Sequence, residues 1–351
     1  GYKAVWHKQN GFPSPDYLKA LHPQLSDLFI QKMAGSILPP GHQAGKLLPY
    51  WAEKLGLQIG LPIAVPIIDA HAAVWGAGIV QPGTMLMIMG TSTCHMLLAD
   101  KEVLVEGISG VVEDGILPGM FGYEAGQAAV GDIFSWFIHH GISADPNRSV
   151  NNTAMLHETL SAKAARLAPG ESGLLALDWW NGCRSTLVDA ELSGLIIGYS
   201  LSTLPEEIYR ALIESTAFGT RTIIDAFVSQ AVQVKSLVAG GGLTRNHFLL
   251  QLYADITGRE IEVKESDQIS AIGAAMLGAF AGLQNQKSEN IMDIITRLAP
   301  SPSKRFLPIP QNKEIYDILY TNYISLYDYF GRGSNNVMKV LRKLKKGQLS
   351  S

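Results

Sequence analysis

Residues 235–263 read KSLVAGGGLTRNHFLLQLYADITGREIEV and decide the fold class. The stretch begins with a short apolar run, passes through three glycines, continues with apolar residues at helical spacing and ends in a second β-branched run. The helical face consists of Leu249, Leu252, Tyr253 and Ile256. A strand, a glycine turn, a helix and a second strand in this order are typical of an α/β protein, which is the fold class that we predict.

Two apolar runs upstream of this unit have the pattern of a β-hairpin. Residues 84–90 (TMLMIMG) and 94–100 (CHMLLAD) flank a short Thr/Ser turn, and this spacing predicts two paired strands. The pattern before them is helical, and it changes at Pro82 and Gly83. We therefore predict a domain boundary near Pro82. The last segment, 331–351, is basic, and since charge runs at chain ends are usually solvated we expect a frayed helix there.

The remaining periodicity predicts further helices and strands. Apolar positions three and four residues apart predict helices over 15–33, 45–55, 70–78, 127–140, 151–167, 204–230, 270–283 and 312–329. Short apolar runs predict buried strands over 61–69 and 174–180. Thr203 and Glu206 form a capping box before the longest helix, and Ser270 is a candidate N-cap.

Composition and charge narrow the class of function. The 351 residues carry 28 Lys plus Arg against 31 Asp plus Glu, a net charge of −3, so no broad basic face for nucleic acid is expected. No apolar run approaches the ~20 residues of a membrane span. The two cysteines, Cys94 and Cys183, have neither metal-ligand spacing nor the pattern of a disulfide framework. We therefore expect a cytoplasmic protein that binds neither nucleic acid nor membrane.

Two common nucleotide-binding motifs are absent from the sequence. The glycines at 240–242 do not continue as G-x-G-x-x-G, because Asn246 and His247 follow where the last glycine is needed. No G-x-x-x-x-G-K-[ST] is present, which excludes a P-loop. Neither H-E-x-x-H nor paired C-x-x-C is present, so we predict no metal held by the protein alone. Any metal is expected to come with a nucleotide.

Asp69 is the first candidate for chemistry. It follows the run predicted to be a buried strand, and a carboxylate at the carboxyl end of such a strand faces the crevice where ligands bind. Phosphoryl transfer to a hydroxyl needs such a group to accept the proton. A residue that only caps the following helix explains the position equally well. Neighbouring His71 is expected to orient Asp69 or a substrate rather than to replace Asp69.

Two turns are candidates for phosphate binding. The first consists of Gly90, Thr91, Ser92 and Thr93, and the second of Gly240, Gly241 and Gly242. The N–H groups and hydroxyls of the first turn can converge on phosphate oxygens, although an ordinary polar hairpin turn is the alternative. The second turn lies between a strand and a helix that begins near Asn246. Its backbone can approach a nucleotide closely, and the helix N-terminus favours anions.

Glu124 and Lys3 are candidates for binding a polyol. Glu124 lies between aromatic and glycine residues in MFGYEAGQ, a setting that suits a carboxylate bonded to sugar hydroxyls. The alternative is an exposed loop acid. Lys3 lies among Tyr2, Trp6 and His7, and its alternative is a surface lysine near a chain end.

Taken together, these segments resemble the FGGY carbohydrate kinases of the actin-like ATPase superfamily. The resemblance runs from Lys3 to about Phe330. The stretches that carry it are GYKAVWHKQNGFPS, IIDAHAAVWGAG, MGTSTCHM, GYEAGQAAVGDIFSWF, NGCRSTLVD, ESTAFGTR and AGGGLTRNHFLLQLYADITG. It implies an α/β, ribonuclease H-like fold with the end of a sugar-binding N-terminal domain over 1–82 and a nucleotide-binding C-terminal domain over 83–330.

The resemblance also implies a role for each candidate residue. Asp69 matches the catalytic base, and Lys3 and Glu124 match contacts to a ketopentose. The GTST turn matches the support of the β- and γ-phosphates of ATP, with Mg²⁺ brought by the nucleotide. The nucleotide cleft is matched by Gly131, Ser135, Gly240, Gly241, Gly242 and Asn246. The small-residue helices after Asp69 and after Ser270 match two helices that cross at an interdomain hinge.

One departure from the family is serious. Its Asp-x-Gly-Thr phosphate hairpin near the N-terminus is absent, together with most of the first domain, so we expect an N-terminally truncated fragment with little activity of its own. The expected reaction of the whole enzyme is ATP-dependent phosphorylation of L-ribulose. A kinase for xylulose, D-ribulose or a polyol, and a catalytically silent nucleotide-binding regulator, are the alternatives. Whether the protein forms a homodimer stays open.

Overall fold

The computed structural model describes residues 5–142, 153–283, 290–333 and 335–347. Its strands are β1 (Gln43–Lys46), β2 (Pro62–Ala64), β3 (Thr84–Met89), β4 (Thr93–Ala99), β5 (Gly110–Glu113), β6 (Phe121–Gln127), β7 (Leu175–Leu177), β8 (Leu195–Ile197), β9 (Ser236–Gly240), β10 (Ile261–Lys264) and β11 (Pro302–Phe306). Its helices are α1 (Pro15–Leu21), α2 (Leu28–Lys32), α3 (Pro49–Leu55), α4 (Asp69–Gly76), α5 (Gly131–Trp136), α6 (Thr153–Ala164), α7 (Pro205–Ser229), α8 (His247–Thr257), α9 (Ile269–Leu283), α10 (Ile291–Leu298), α11 (Pro310–Tyr327) and α12 (Val337–Lys345).

A mixed seven-stranded sheet forms the centre, with the order β11-β10-β9-β3-β4-β6-β5. β9 pairs in parallel with both β3 and β10, and the other neighbours are antiparallel. The unit read from residues 235–263 is therefore present as β9, a glycine turn, α8 and β10, which confirms the α/β class. Because β3 and β9 are parallel, the turns that follow them lie at the same edge of the sheet.

Helices cover both faces of this sheet, and β3 shows why. Alternate side chains of a strand point to opposite faces. Met85, Met87 and Met89 pack into a core cluster with α7 and α8. Leu86 and Ile88 pack into a second cluster with α4, α9 and α10. The predicted hairpin of β3 and β4 is confirmed by its antiparallel register.

Glycines allow α4 and α9 to cross in close contact. A Cβ at Gly76 would lie 1.8 Å from the carbonyl oxygen of Ile269, and a Cβ at Gly273 would lie 1.8 Å from that of Ala72. No other residue fits at either position without moving a backbone. The expected close approach of two small-residue helices is confirmed, while the hinge and the domain boundary near Pro82 stay predictions.

The buried strand predicted over 61–69 is wrong. Only Pro62–Ala64 forms a strand, and it pairs with β1 in a separate two-stranded sheet. Pro62 and Pro66 lack the N–H that a central strand donates. Asp69 consequently does not end a strand but is the first residue of α4.

Three predicted helices begin or continue differently. The helix over 15–33 is interrupted, because a short 3₁₀ turn beginning at Pro23 separates α1 from α2. The helix over 45–55 begins only at Pro49, since the residues before it form β1. The helix over 127–140 begins at Gly131, because Gln127 ends β6.

Both predicted helix caps differ from the observed ones. Glu207, not Glu206, completes the start of α7 by accepting a hydrogen bond from the N–H of Leu204 at 2.7 Å. Thr203 instead accepts from the N–H of Ser200 at 2.9 Å. Ser270 lies inside α9 rather than before it. A cap shifted by one residue leaves the helix itself unchanged, and the predicted helices that correspond to α7 and α11 are confirmed.

The helix expected in the basic tail is present as α12, and most of its side chains are exposed as expected, but it is anchored rather than frayed. Met338 is 7% exposed and belongs to the main core cluster. Lys339 Nζ lies 2.6 Å from Asp189 Oδ2, and Arg342 donates to the carbonyl of Ala190 at 2.5 Å. Among the described residues, no helix combines the length and the apolar character needed to cross a bilayer.

Candidate active site

The turn between β3 and β4 lies against the start of α5. The N–H of Gly90 donates to the carbonyl of Ser92 at 2.9 Å, which closes the turn. The N–H groups of Gly131 and Val130 donate to the carbonyls of Gly90 (3.0 Å) and Thr91 (2.8 Å). A Cβ at Gly131 would lie 2.6 Å from the Gly90 oxygen, so this approach requires glycine. The structure therefore brings Gly131 to the predicted phosphate turn.

The glycine turn after β9 lies beside the end of β3. Gly241 has a φ of +93°, and a Cβ there would lie 2.5 Å from the carbonyl oxygen of Met89. Gly240 pairs with Ile88 in the β3–β9 register. Apart from its two chain neighbours, no atom of the described residues lies within 4 Å of the position that a Cβ of Gly242 would take, so the backbone is open there. Because Met89 directly precedes Gly90, the two predicted phosphate turns are neighbours.

The hydroxyls of the first turn differ in their access to a ligand. Thr91 is exposed and Ser92 is half-buried. The hydroxyl of Thr93 is buried, and no hydrogen-bond partner for it is found among the described residues. A buried polar group without a partner costs about 1–3 kcal/mol. Thr91 and Ser92 are thus the hydroxyls that a phosphate can reach in this conformation.

Asn246 and Ser135 already have hydrogen bonds within the protein. Asn246 Oδ1 accepts from the N–H of Leu249 at 3.1 Å and so caps α8. Its amide donates to Ser161 Oγ on α6 at 2.9 Å. Ser135 lies one residue from the end of α5, and His139 Nδ1 lies 2.7 Å from its carbonyl oxygen. Asn246 therefore ties α8 to α6 beside the glycine turn.

Glu124 is buried on β6 and held by two basic side chains. The residue is 5% exposed, so the alternative of an exposed loop acid is wrong. His71 Nε2 lies 3.1 Å from Glu124 Oε2. Arg184 Nη2 donates to Glu124 Oε1 in a short contact. Since a carboxylate only accepts, His71 carries its proton on Nε2 in this arrangement.

Sequence reasoning did not single out Arg184, although NGCRSTLVD is one of the stretches that carry the family resemblance. Arg184 lies in the irregular segment between β7 and β8, where no periodicity indicates its neighbours. Glu124 lies 60 residues away in the sequence. The contact of this segment with β6, where Ser185 Oγ accepts a hydrogen bond from the N–H of Gly126, brings the two together.

Asp69 and His71 lie on different sides of α4. Residues two apart on a helix do not face each other. Asp69 is exposed and lines a cavity of about 560 Å³ together with Ser270 and Ala271 of α9. His71 is 1% exposed and lines a cavity of about 660 Å³ with Trp6 and other residues. Among the described residues, the one hydrogen bond of the Asp69 side chain is from the N–H of Ala70 to Oδ1 at 2.8 Å.

A buried polar network lies behind β6. Gln127 Nε2 donates to Asp178 Oδ2 at 2.7 Å, and Tyr323 donates to Asp178 Oδ1 at 3.2 Å. Thr220 donates to Gln127 Oε1 at 2.9 Å and lies 3.2 Å from His95 Nε2. Burial raises the pKa of Asp178 to about 6, because neutral donors compensate only part of the lost hydration. Burial, and secondarily the charge of Arg184, lowers the pKa of His95 to about 3.

Two sequence predictions remain, one about Lys3 and one about a metal site. Lys3 lies outside the described residues. Within the described ranges, no group of three or more His, Cys, Asp and Glu side chains is arranged to hold a metal ion.

Comparison with known proteins identifies the family of this arrangement. Residues 85–282 match the FGGY family of carbohydrate kinases, C-terminal domain. The chain belongs to the FGGY family of carbohydrate kinases. The chain is 54% identical over 348 residues to the protein named ribulokinase of Halalkalibacterium halodurans. This alignment covers 98% of the chain and 62% of the relative, so the chain spans less than two thirds of the relative's length.

Solved structures of this FGGY chain's relatives share its fold at lower identity. The xylulose kinase of Rhodospirillum rubrum superposes with a TM-score of 0.69 at 23% identity, over 83% of this chain and 56% of that one. The gluconate kinase of Lactobacillus acidophilus gives a TM-score of 0.72 at 18% identity, over 87% of this chain and 60% of that one. Since these two proteins are named for different sugars, the fold alone does not select a substrate.

Proposed function

We propose that the protein carrying this chain transfers the γ-phosphoryl group of ATP to L-ribulose, which gives L-ribulose 5-phosphate and ADP. The observation that carries the proposal is the 54% identity, over nearly the whole chain, to a protein named ribulokinase. The adjacent glycine turns and the two acids Asp69 and Glu124 are compatible with it. The sugar-binding part then ends within residues 1–82, and residues 83–330 form the nucleotide-binding domain.

Asp69 is the proposed base. It accepts the proton of the terminal sugar hydroxyl, whose oxygen then attacks the γ-phosphorus in line. Its exposure supports this role, because a substrate can reach the carboxylate directly. Glu124 and Lys3 are the proposed contacts to the other sugar hydroxyls. His71 contributes by holding Glu124.

The proposed ATP site lies along the two neighbouring turns. The GTST turn would support the β- and γ-phosphates, and Gly240, Gly241, Gly242 and Asn246 would hold the adenosine. Gly131 and Ser135 would line the nucleotide cleft. The close packing of Gly131 on Gly90 and of Gly241 on Met89 holds the two turns beside each other, and the open backbone at Gly242 leaves room for a ligand. A magnesium ion would neutralise phosphate charge, and we propose that it is brought by the nucleotide.

A panel of sugars tests the proposal. The full-length protein is supplied with ATP and with L-ribulose, D-ribulose, xylulose or glycerol, and ADP release is followed. We expect the highest kcat/KM with L-ribulose. A higher value with another sugar would assign a different FGGY specificity, and ATP binding without sugar-dependent ADP release would indicate a regulatory module. Light scattering of the same sample tests for a homodimer.

A further inference from the structure

The carboxylate of Glu124 on β6 is held by side chains from two other parts of the chain. His71 on α4 contacts one oxygen, and Arg184 from the segment before β8 contacts the other. Arg184 and Glu124 are 31% and 7% exposed at their side chains. Rotation of the carboxyl group therefore requires that both contacts break in a site where little water replaces them.

Space for the Arg184 guanidinium depends on Gly126. Glu124 and Gly126 lie on the same face of β6, because side chains two apart on a strand point the same way. A Cβ at Gly126 would lie 2.8 Å from Arg184 Nη1. The same Nη1 lies 3.7 Å from Cys94 Sγ, on the neighbouring strand. The guanidinium thus crosses the surface of β6 from Gly126 to Glu124.

The segment that carries Arg184 is itself anchored. Ser185 Oγ accepts from the N–H of Gly126 at 3.2 Å, at the end of β6 that β5 leaves unpaired. Thr186 Oγ1 lies 2.9 Å from the hydroxyl of Tyr327 on α11. A Cβ at Gly107 would lie 1.8 Å from the carbonyl oxygen of Thr186. These contacts set the direction from which Arg184 reaches Glu124.

We propose that Arg184 is a positioning residue for sugar binding, which acts by holding the Glu124 carboxylate in the orientation that accepts sugar hydroxyls. The inference rests on the proposed function, because it needs Glu124 to contact the sugar. A preoriented acceptor binds its ligand without first losing rotational freedom. Loss of Arg184 therefore affects sugar affinity, and leaves the nucleotide turns unchanged.

The test compares Arg184→Met, Arg184→Lys and Arg305→Met in the full-length protein. Met fills the space of the arginine stem without charge. Lys keeps the charge but lacks the planar fork that reaches two partners. Arg305 is the control, because it lies on β11, at the opposite edge of the sheet from β5, and makes ion pairs with Glu260 and Glu262. Melting temperatures establish that each variant is folded.

We expect Arg184→Met to raise the KM for L-ribulose about tenfold or more, while the KM for ATP changes less than about twofold. Arg184→Lys should restore part of the sugar affinity, and Arg305→Met should match the wild type. If Arg184→Met does not fold, Arg184→Lys decides through the same sugar-selective rise. Equal increases in both KM values, or an unchanged sugar KM, would contradict the inference.

A double-mutant cycle separates positioning from a merely structural ion pair. In a Glu124→Gln background, Arg184→Met should raise the sugar KM further by less than about twofold, because the residue acts through Glu124. A further tenfold rise would overturn the inference. If the wild type turns over L-ribulose but Arg184→Met raises the sugar KM equally in the wild-type and Glu124→Gln backgrounds, only the role of Arg184 is contradicted. Absence of turnover with every sugar contradicts the proposed function, and with it the inference.

Discussion

Asp69 and Glu124, the two acids proposed to contact the sugar, have opposite surroundings. Asp69 is exposed at the first position of α4, and its side chain makes one local hydrogen bond among the described residues. Glu124 is buried on a strand and is held by His71 and Arg184. A base must reach a proton, whereas a binding group must keep one orientation. The difference in burial therefore matches the two different roles that we propose for acids of the same chemistry.

The largest expected effect tests the exposed member of the pair. Asp69→Asn should lower kcat about 10²–10⁴-fold, because the amide cannot accept the sugar proton, while the KM for L-ribulose changes little. Steady-state kinetics of the full-length protein measure both constants. Asp100→Asn is the control, since Asp100 is an exposed acid just beyond the far end of β4. Substantially retained turnover with sugar still bound would remove Asp69 from the role of base.

The sequence predicted the sheet better than it predicted these surroundings. β3, β9 and α8 are long, regular apolar patterns, and their burial follows from periodicity. β6 was not predicted as a strand, because its glycines at 122 and 126 resemble a loop, although Gly126 leaves the space for Arg184. The apolar run before Asp69 was expected to be a buried strand. Its residues instead line the cavity beside α9 and do not belong to the central sheet.

Contacts between residues far apart along the chain could not be predicted from a single sequence. Arg184 meets Glu124 because its segment packs against β6, and α12 contacts the same segment through Lys339 and Arg342. In contrast, the crossing of α4 and α9 was predictable, since repeated small residues permit close contact. The physical limit is that periodicity reports burial along one element, and does not report which element covers it.

A second prediction disturbs both acids at once through α4. Gly273→Ala places a Cβ 1.8 Å from the carbonyl oxygen of Ala72, so α4 and α9 must separate. We expect a loss of about 3 kcal/mol in the free energy of unfolding. Urea denaturation measures the loss, and kinetics should show changes in both kcat and sugar KM.

Gly278→Ala is the matched control on the same helix, because within the part of the chain that the structure describes nothing outside its own helix turn lies within 4 Å of the position of its Cβ. It should be neutral or stabilise by up to about 1 kcal/mol, as alanine favours the helix. A Gly273→Ala protein as stable as this control would show that the crossing tolerates a wider separation.

A third prediction extends the comparison to Asp178, a buried acid that has neutral donors in place of cations. Its folded pKa of about 6 exceeds the ordinary value of 3.8. Between these values the folded protein binds the proton and the unfolded chain does not, so the free energy of unfolding falls as the pH rises toward 6. Above pH 6 Asp178 is ionised in both states, and its titration lowers the free energy of unfolding no further.

The measurement is the difference in unfolding free energy between the wild type and Asp178→Asn from pH 4.5 to 7. The wild type should lose on the order of 2 kcal/mol relative to the variant over this range. His95 titrates in both proteins, so its opposite contribution cancels in the difference. A flat difference would mean that Asp178 stays ionised throughout, as an acid with a cationic partner does.

The smallest effect is expected at the outer support of the Glu124 site. Lys339 on α12 pairs with Asp189 in the Arg184 segment, and the two side chains are 34% and 20% exposed. Partly exposed pairs of this kind contribute about 0–1 kcal/mol, and salt screens them. Lys339→Ala should therefore lower the free energy of unfolding by less than about 1 kcal/mol, and 1 M NaCl should remove the difference.

Lys343→Ala, an exposed lysine of the same helix, is the control and should change nothing measurable. The sugar KM of Lys339→Ala should rise by no more than about twofold, because Ser185 and Thr186 still anchor the segment. A tenfold rise would mean that α12, rather than the strand edge and α11, fixes the direction of Arg184. The orientation of the buried acid would then depend on the end of the chain, while the exposed acid Asp69 would remain independent of it.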